Sequence, residues 1–166
     1  RAIRNEIVPT NNGGSYTMNS QIIFDLPANL NNTFCDFQSS YIKATVNNGN
    51  ASSHDVNFHG GGFSSCIKQI VLELGGFREN AGKRLFGAGN DYIGEVVEDG
   101  DSRTVCFPLV LTPLVGASRY FPLIGRDRLR IRLILDTAAR GLILSNASVT
   151  DAEITITDVA LVTYNL

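Results

Sequence analysis

Two stretches decide the fold, LRIRLILD at residues 129–136 and AEITITDVALVTY at residues 152–164. In the first, Leu and Ile alternate with Arg, so apolar and charged side chains point to opposite faces of a β-strand. In the second, the alternation changes phase at Thr157 and Asp158, which predicts a bulge in one long strand. Both patterns indicate a sheet that buries one of its faces.

Working outward, four further segments show the same strand-like pattern between turn-forming Gly, Pro and Asn residues. They are residues 15–26, 39–46, 66–74 and 104–111, with shorter candidates at 56–58, 92–97 and 140–144. Residues 78–86 could form one or two helical turns, but no amphipathic helix is evident. Because helices are too few to connect parallel strands, we expect an all-β, eight-stranded antiparallel jelly-roll sandwich.

The composition is that of one folded domain with few charges. The chain has 166 residues, 43% of them hydrophobic and 18% charged, with a net charge of -2. The expected organisation is a single domain over 1–166, with an extended N-terminal arm at 1–14 and a long loop region at 75–103. A balance this close to neutral argues against binding nucleic acid through phosphate neutralisation. No apolar run reaches about 18 residues, so no transmembrane helix is expected.

The one local excess of positive charge is the alternating run Arg126, Arg128, Arg130 and Arg132. On a strand, this spacing puts all four guanidinium groups on one face. Such a face could bind phosphates, but a solvated or interfacial sheet face is the favoured interpretation.

The sequence shows no convincing catalytic or metal-binding motif. The stretch GFRENAGKR at 76–84 misses the spacing of a phosphate-binding loop, and Arg84 stands where Ser or Thr should bind magnesium. His54 and His59 have no third ligand at metal-site spacing, and the three cysteines, expected to be reduced and mostly buried, form no zinc motif. We therefore expect no enzymatic activity, no catalytic residues, no cofactor and no metal.

The order of the segments resembles the jelly roll of double jelly-roll major capsid proteins, of the type found in Polinton-like viruses, adintoviruses and virophages. The segments are SYTMNSQIIFDLP (15–27), FCDFQSSYIKATVNN (34–48), CIKQIVLELGG (66–76), residues 104–138 and ITITDVALVTYNL (154–166). Since that family carries two jelly rolls in one chain, the resemblance implies one half, the N-terminal one being favoured. A single jelly-roll relative, such as a penton or minor capsid subunit, is the alternative.

The resemblance implies a structural role in a virion. The subunit would assemble inside the host cell into trimeric or pseudo-hexameric capsomers of an icosahedral shell, with itself and other capsid proteins as partners. The candidate assembly contacts are Phe34, Phe37, Tyr92, Tyr120, Arg128, Arg130 and Arg132. Each of the aromatic residues could equally belong to the core, and for Phe121 the core is favoured.

A second hypothesis is a ligand-binding sandwich, lectin-like or receptor-binding. Its site would combine the loop at 54–62 with an acidic tip formed by Glu98, Asp99 and Asp101. A cupin-type enzyme is the third possibility. We favour a simpler interpretation over both the ligand site and the enzyme, namely that these features are a solvated loop and a charged turn.

Overall fold

A computed structural model describes nine ranges of the chain: 3–26, 34–49, 54–58, 62–74, 77–82, 96–109, 120–122, 129–144 and 154–165. Within them the chain is almost entirely antiparallel β-structure, as the strand patterns predict. No helix in these ranges is long and apolar enough to cross a membrane.

Thirteen strands lie within the described residues, and ten of them have three or more residues. They are β1 (Ile3–Ile7), β2 (Tyr16–Thr17), β3 (Gln21–Leu26), β4 (Phe34–Asn48), β5 (Val56–Phe58), β6 (Ile67–Leu74), β7 (Phe77–Gly82), β8 (Val96–Val97), β9 (Ser102–Pro108), β10 (Phe121–Pro122), β11 (Leu129–Leu135), β12 (Leu142–Leu144) and β13 (Ile154–Asn165). Two 3-10 turns, Asn12–Gly14 and Gly62–Cys66, and a single-turn helix α1 (Ala138–Gly141) complete the described elements. The expected count of eight strands is therefore too low.

The winding of the chain is nevertheless that of a jelly roll. The first strands, β1 and β2, pair with the last, β13; β3 pairs with β11, and β4 with β9. Strands β6 and β7 pair with each other at the middle of the chain. The chain is thus one long antiparallel hairpin folded over on itself. Strands β5, β8, β10 and β12 are additional to this pattern.

The rolled hairpin forms two main sheets. The first sheet has the order β1-β13-β4-β10, with β2 also on β13 and β9 also on β4, and the second sheet has the order β3-β11-β6-β7. A small third sheet, β12-β5-β8, contains three of the additional strands, and the fourth, β10, pairs with β4 in the first sheet. Successive segments of the hairpin lie alternately in the first and second sheets, so both sheets can turn an apolar face toward a common core.

Alternation along the strands builds that core. In β11 the buried residues are Leu129, Ile131, Leu133 and Leu135, while the residues between them are half-buried. Strand β4 contributes the buried Ile42, Ala44 and Val46 from the first sheet in the same way. Full burial of an aliphatic side chain contributes about 1.5 to 3 kcal/mol. The period-2 pattern of the sequence therefore becomes the principal source of stability.

The predicted bulge in the last strand is confirmed. The register of β13 on β4 shifts between Thr157 and Ala160, and Asp158 has a φ of 50°. A left-handed backbone at a non-glycine residue is uncommon and is best tolerated by Asp or Asn. The bulge lets Val159 and Leu161 return to the core side after Ile156.

Two boundary predictions are corrected. Residues 3–7 of the segment predicted as an extended arm form strand β1 in the first sheet. The region 75–103, predicted as a long loop with a possible helical turn at 78–86 and a candidate strand at 92–97, contains strand β7, strand β8 at the end of that candidate, and the first residues of β9. Strands β1, β8 and β9 pair with strands that are distant in the sequence, which local patterns cannot reveal, whereas β7 forms a hairpin with the preceding β6.

Candidate assembly surfaces

The outer face of the second sheet carries a ladder of opposite charges. Arg130 lies between Asp25 and Glu73 in the strand register, and its Nε donates to Asp25 Oδ1 over 2.7 Å. Arg132 Nη2 donates to Glu73 Oε1 over 2.5 Å. The hydrogen bond to Asp25 raises the pKa of the Arg130 guanidinium, so this guanidinium stays protonated at any physiological pH.

The ion pairs of this ladder determine whether these arginine residues can bind phosphates. The two described arginines do lie on one outward face, as the alternation predicts, but each has a carboxylate partner. Because two positive and two negative charges cancel, this part of the face offers no net attraction for phosphates. Arg126 and Arg128 lie outside the described residues.

Strand β4 contains a kink that the strand pattern does not predict. The carboxylate of Asp36 accepts hydrogen bonds from the backbone N–H groups of Gln38 and Ser39, over 3.1 and 3.3 Å. It also accepts one from the Ser39 hydroxyl over 2.9 Å, while the Ser40 hydroxyl donates to the Asp36 carbonyl over 2.7 Å. An Asp followed by Ser residues is a known signal for such local turns, so the sequence did contain a clue.

The kink sends Phe37 into the core. Its side chain is 2% exposed, and its ring meets that of Phe121 edge to face, with centroids 5.7 Å apart. Phe37 therefore takes the core position that was left open for each of these aromatic residues, and its role as an assembly contact stays a prediction. The core position favoured for Phe121 is confirmed, since it is 7% exposed.

Two of the predicted aromatic contacts do lie at the surface, at the same end of the first sheet. Phe34 is 42% exposed and Tyr120 is 40% exposed. Phe34 begins β4 and lies opposite Pro122 of β10, immediately after Tyr120 and Phe121 in the chain. The pairing of β10 with β4 thus brings together two exposed aromatic residues from distant segments. Tyr92 lies outside the described residues.

The two segments of the hypothetical ligand site are also neighbours, but a buried amide holds them together. Asn48 Nδ2 donates to the carbonyl oxygens of His54 and Val97, over 2.9 and 3.0 Å. The acidic tip at 98–101 follows directly. Among the residues that the structure describes, no three His, Cys, Asp or Glu side chains converge as a metal site. His59 lies outside them.

The three cysteines differ in their surroundings. Cys35 and Cys66 are buried, whereas Cys106 is exposed on the outer side of β9. Burial raises the pKa of the Cys35 thiol to about 12, so that it stays protonated and unreactive at neutral pH. The cysteines were expected to be mostly buried, and two of the three are.

The sequence matches no protein-family model and no curated protein. The fold is similar to that of PBCV-1 VP54, in the crystal structure fitted into a cryo-EM reconstruction of the virophage Sputnik. The TM-score is 0.60 at 12% identity, over 100% of this chain and 42% of VP54. The STIV MCP crystal structure matches with a TM-score of 0.49 at 15% identity, over 99% of this chain and 48% of that chain. The chain thus spans less than half the length of either structure, and shares the jelly-roll fold of the first.

Proposed function

We propose that this chain, a jelly-roll domain of the viral capsid type, is a structural subunit of an icosahedral virus shell. In this role it assembles with copies of itself and with other capsid proteins into trimeric or pseudo-hexameric capsomers. Its location would be the virion, after assembly inside the host cell. The proposal assigns it neither enzymatic activity nor nucleic-acid binding.

One observation carries the proposal: the whole chain matches 42% of VP54, a protein whose structure was fitted into a virophage particle. The sequence motifs independently resemble the major capsid proteins of virophages and related elements. A chain that matches somewhat less than half of VP54 suits one jelly roll of a two-domain capsid protein. A single jelly-roll subunit would suit the same coverage.

The surfaces support this role. A subunit in a shell buries its flanks against neighbours, and uncompensated charges on such flanks would be costly to remove from water. On the outer face of the second sheet, Arg130 and Arg132 are each paired with a carboxylate, that of Asp25 and that of Glu73 respectively. The exposed Phe34 and Tyr120 provide the kind of aromatic anchors that contribute most to protein interfaces.

The test is assembly of the purified protein, followed by sedimentation and negative-stain electron microscopy. We expect trimers that form capsomer-sized particles, and we expect the double variant Phe34→Ala/Tyr120→Ala to shift the population toward monomers. Val96→Ala is the matched control, because Val96 is a 37% exposed apolar residue on the third sheet. A wild-type protein that stays monomeric at every concentration, and that is absent from purified particles, would refute the proposal.

A further inference from the structure

Strand β1 is an edge of the first sheet that carries exposed aliphatic side chains. It pairs with β13 on one side and ends the strand order of the sheet on the other. Ile3 within it and Val8 just after it are 62% and 69% exposed, more than any other large hydrophobic residue that the structure describes. An unpaired strand edge is a ready template for another strand.

The neighbouring edge of the second sheet is closed by the chain itself. The Thr10 N–H donates to the carbonyl of Ile23 over 2.8 Å, and Asn11 Nδ2 donates to the carbonyl of Gln21 over 2.7 Å. The Ile23 N–H in turn donates to Asn11 Oδ1 over 2.9 Å. Strand β3 is therefore protected by residues that directly follow β1, while no strand that the structure describes is hydrogen-bonded along the free side of β1 itself.

Strand β1 carries two opposite charges that would be complementary across a pair of identical strands, although Arg4 also donates to the Tyr41 hydroxyl of its own chain over 3.4 Å. Arg4 and Glu6 share the outer face, are about half exposed, and form an ion pair of 2.6 Å. If two copies pair antiparallel about Asn5, Arg4 of each copy lies opposite Glu6 of the other, and Ile3 lies opposite Ile7. Opposite charges directly across a strand pair are stabilising, and like charges are destabilising.

The same charges reject the adjacent registers. In the two nearest registers that still place matching faces together, like charges meet. One of these registers sets Arg4 opposite Arg4 of the other copy, and the other sets Glu6 opposite Glu6. The registers between these and the one about Asn5 place outer-face side chains of one copy opposite inner-face side chains of its partner. One antiparallel register therefore satisfies both the charge pattern and the apolar pattern of this strand.

We propose that β1 pairs antiparallel with β1 of a second copy of this chain, about a two-fold axis at Asn5, so that two first sheets join into one continuous sheet. This contact deepens the proposed function, because it names one surface through which subunits would associate. The contact depends on the proposed function only because that function leads us to expect self-association. A two-fold contact of this kind would join neighbouring capsomers, whereas the capsomer itself is built around a three-fold axis.

A cysteine cross-link tests the register directly. Two Asn5→Cys residues would face each other at the axis, with Cα atoms about 4.5 to 5.5 Å apart, within the range of a disulfide. Two Ile3→Cys residues would be four residues apart along the strands, about 13 Å, and could not be bridged. Both variants are made with Cys106→Ser, which removes the exposed native thiol. Under mild oxidation, we expect a covalent dimer from Asn5→Cys and none from Ile3→Cys. Equal yields of dimer, or none from either, would overturn the proposal.

Charge reversal tests whether Arg4 and Glu6 specify the pairing of the two β1 strands. Arg4→Glu alone or Glu6→Arg alone sets like charges against each other, and we expect each to weaken the dimer about tenfold or more. In the double variant Arg4→Glu/Glu6→Arg, residues of opposite charge again face each other across the two strands. The same is true of a mixture of the two single variants, so both should restore association. Sedimentation velocity measures the association, and circular dichroism shows that each variant folds. Equal association of all variants would overturn the proposal.

These outcomes separate the edge contact from the capsid function. Capsomers that form normally while Asn5→Cys gives no dimer would overturn the β1 contact and leave the function standing. A specific Asn5→Cys dimer from a protein that forms no capsomers would support the contact and refute the function.

Discussion

Replacing Phe37 by alanine tests whether the kink in β4 places this residue in the core. The side chain is 2% exposed and packs edge to face on Phe121, at 5.7 Å between ring centroids. Truncating a buried Phe to Ala typically costs about 3 to 5 kcal/mol, because it removes apolar burial and leaves a cavity. The loss of the aromatic pair is part of this figure.

A loss of this size is large for a single domain. At about 2 to 4 °C for each kcal/mol in a domain of this length, the midpoint of thermal unfolding should fall by about 6 to 20 °C. Urea unfolding followed by circular dichroism gives the same free energy independently. The assay uses concentrations at which the wild-type protein is monomeric, so that association does not contribute to the stability.

Phe34→Ala is the matched control, since it removes the same ring from the same strand at a position that is 42% exposed. We expect a loss of unfolding free energy of about 1 kcal/mol or less, with the main effect on self-association. If Phe37→Ala instead cost less than about 1 kcal/mol and impaired assembly, Phe37 would be an interface residue and the argument from the kink would be wrong.

Three further results are expected. Asn11→Ala removes the side-chain hydrogen bonds to Gln21 and Ile23 at the edge of β3, and should lower the urea-unfolding free energy by about 1 to 3 kcal/mol; an unchanged value would mean that water replaces them. Only the exposed Cys106 should react rapidly with a maleimide in the native protein, whereas all three thiols should react in urea; rapid native labelling of Cys35 would contradict its burial. Burial raises the pKa of Cys35 to about 12, so above about pH 9 the unfolded chain loses this proton before the folded chain does, and stability should fall from about pH 9 to about 12. A Cys35→Ala variant should show less of this fall, and an identical pH profile would show that other groups cause it.

Much of the fold was accessible from local patterns. The alternation in residues 129–136 predicted both a strand and its buried face, and the phase change at Thr157 and Asp158 predicted the bulge. Each of these features depends on side chains a few residues apart, which a strand presents in a fixed geometry. The all-β class and the jelly-roll winding followed from the spacing of such segments together with the family resemblance.

The candidate contacts were harder to predict, because exposure depends on the kink and on strand pairing. Phe37 and Ile42 are five residues apart in β4, a spacing that puts side chains on opposite faces of a regular strand, yet both are buried in the core. This change of face comes from the hydrogen bonds around Asp36, which insert extra residues opposite β13. The assembly role of all the candidate contacts remains an untested prediction, and Tyr92 and Arg128 also lie outside the described residues.

The sequence by itself determined which segments are strands, which face of each is apolar, and that the surface is nearly neutral. Only the tertiary structure decided which strands pair, which edges stay open and which charges cancel. Arg130 meets Asp25 across 105 residues of chain, and β1 meets β13 only because the ends of the chain come together. Periodicity is a property of neighbouring residues, whereas pairing is selected by the burial of the whole core. For this reason Arg130 and Arg132, which in the sequence belong to an apparent basic stripe, each form an ion pair with a carboxylate in the fold.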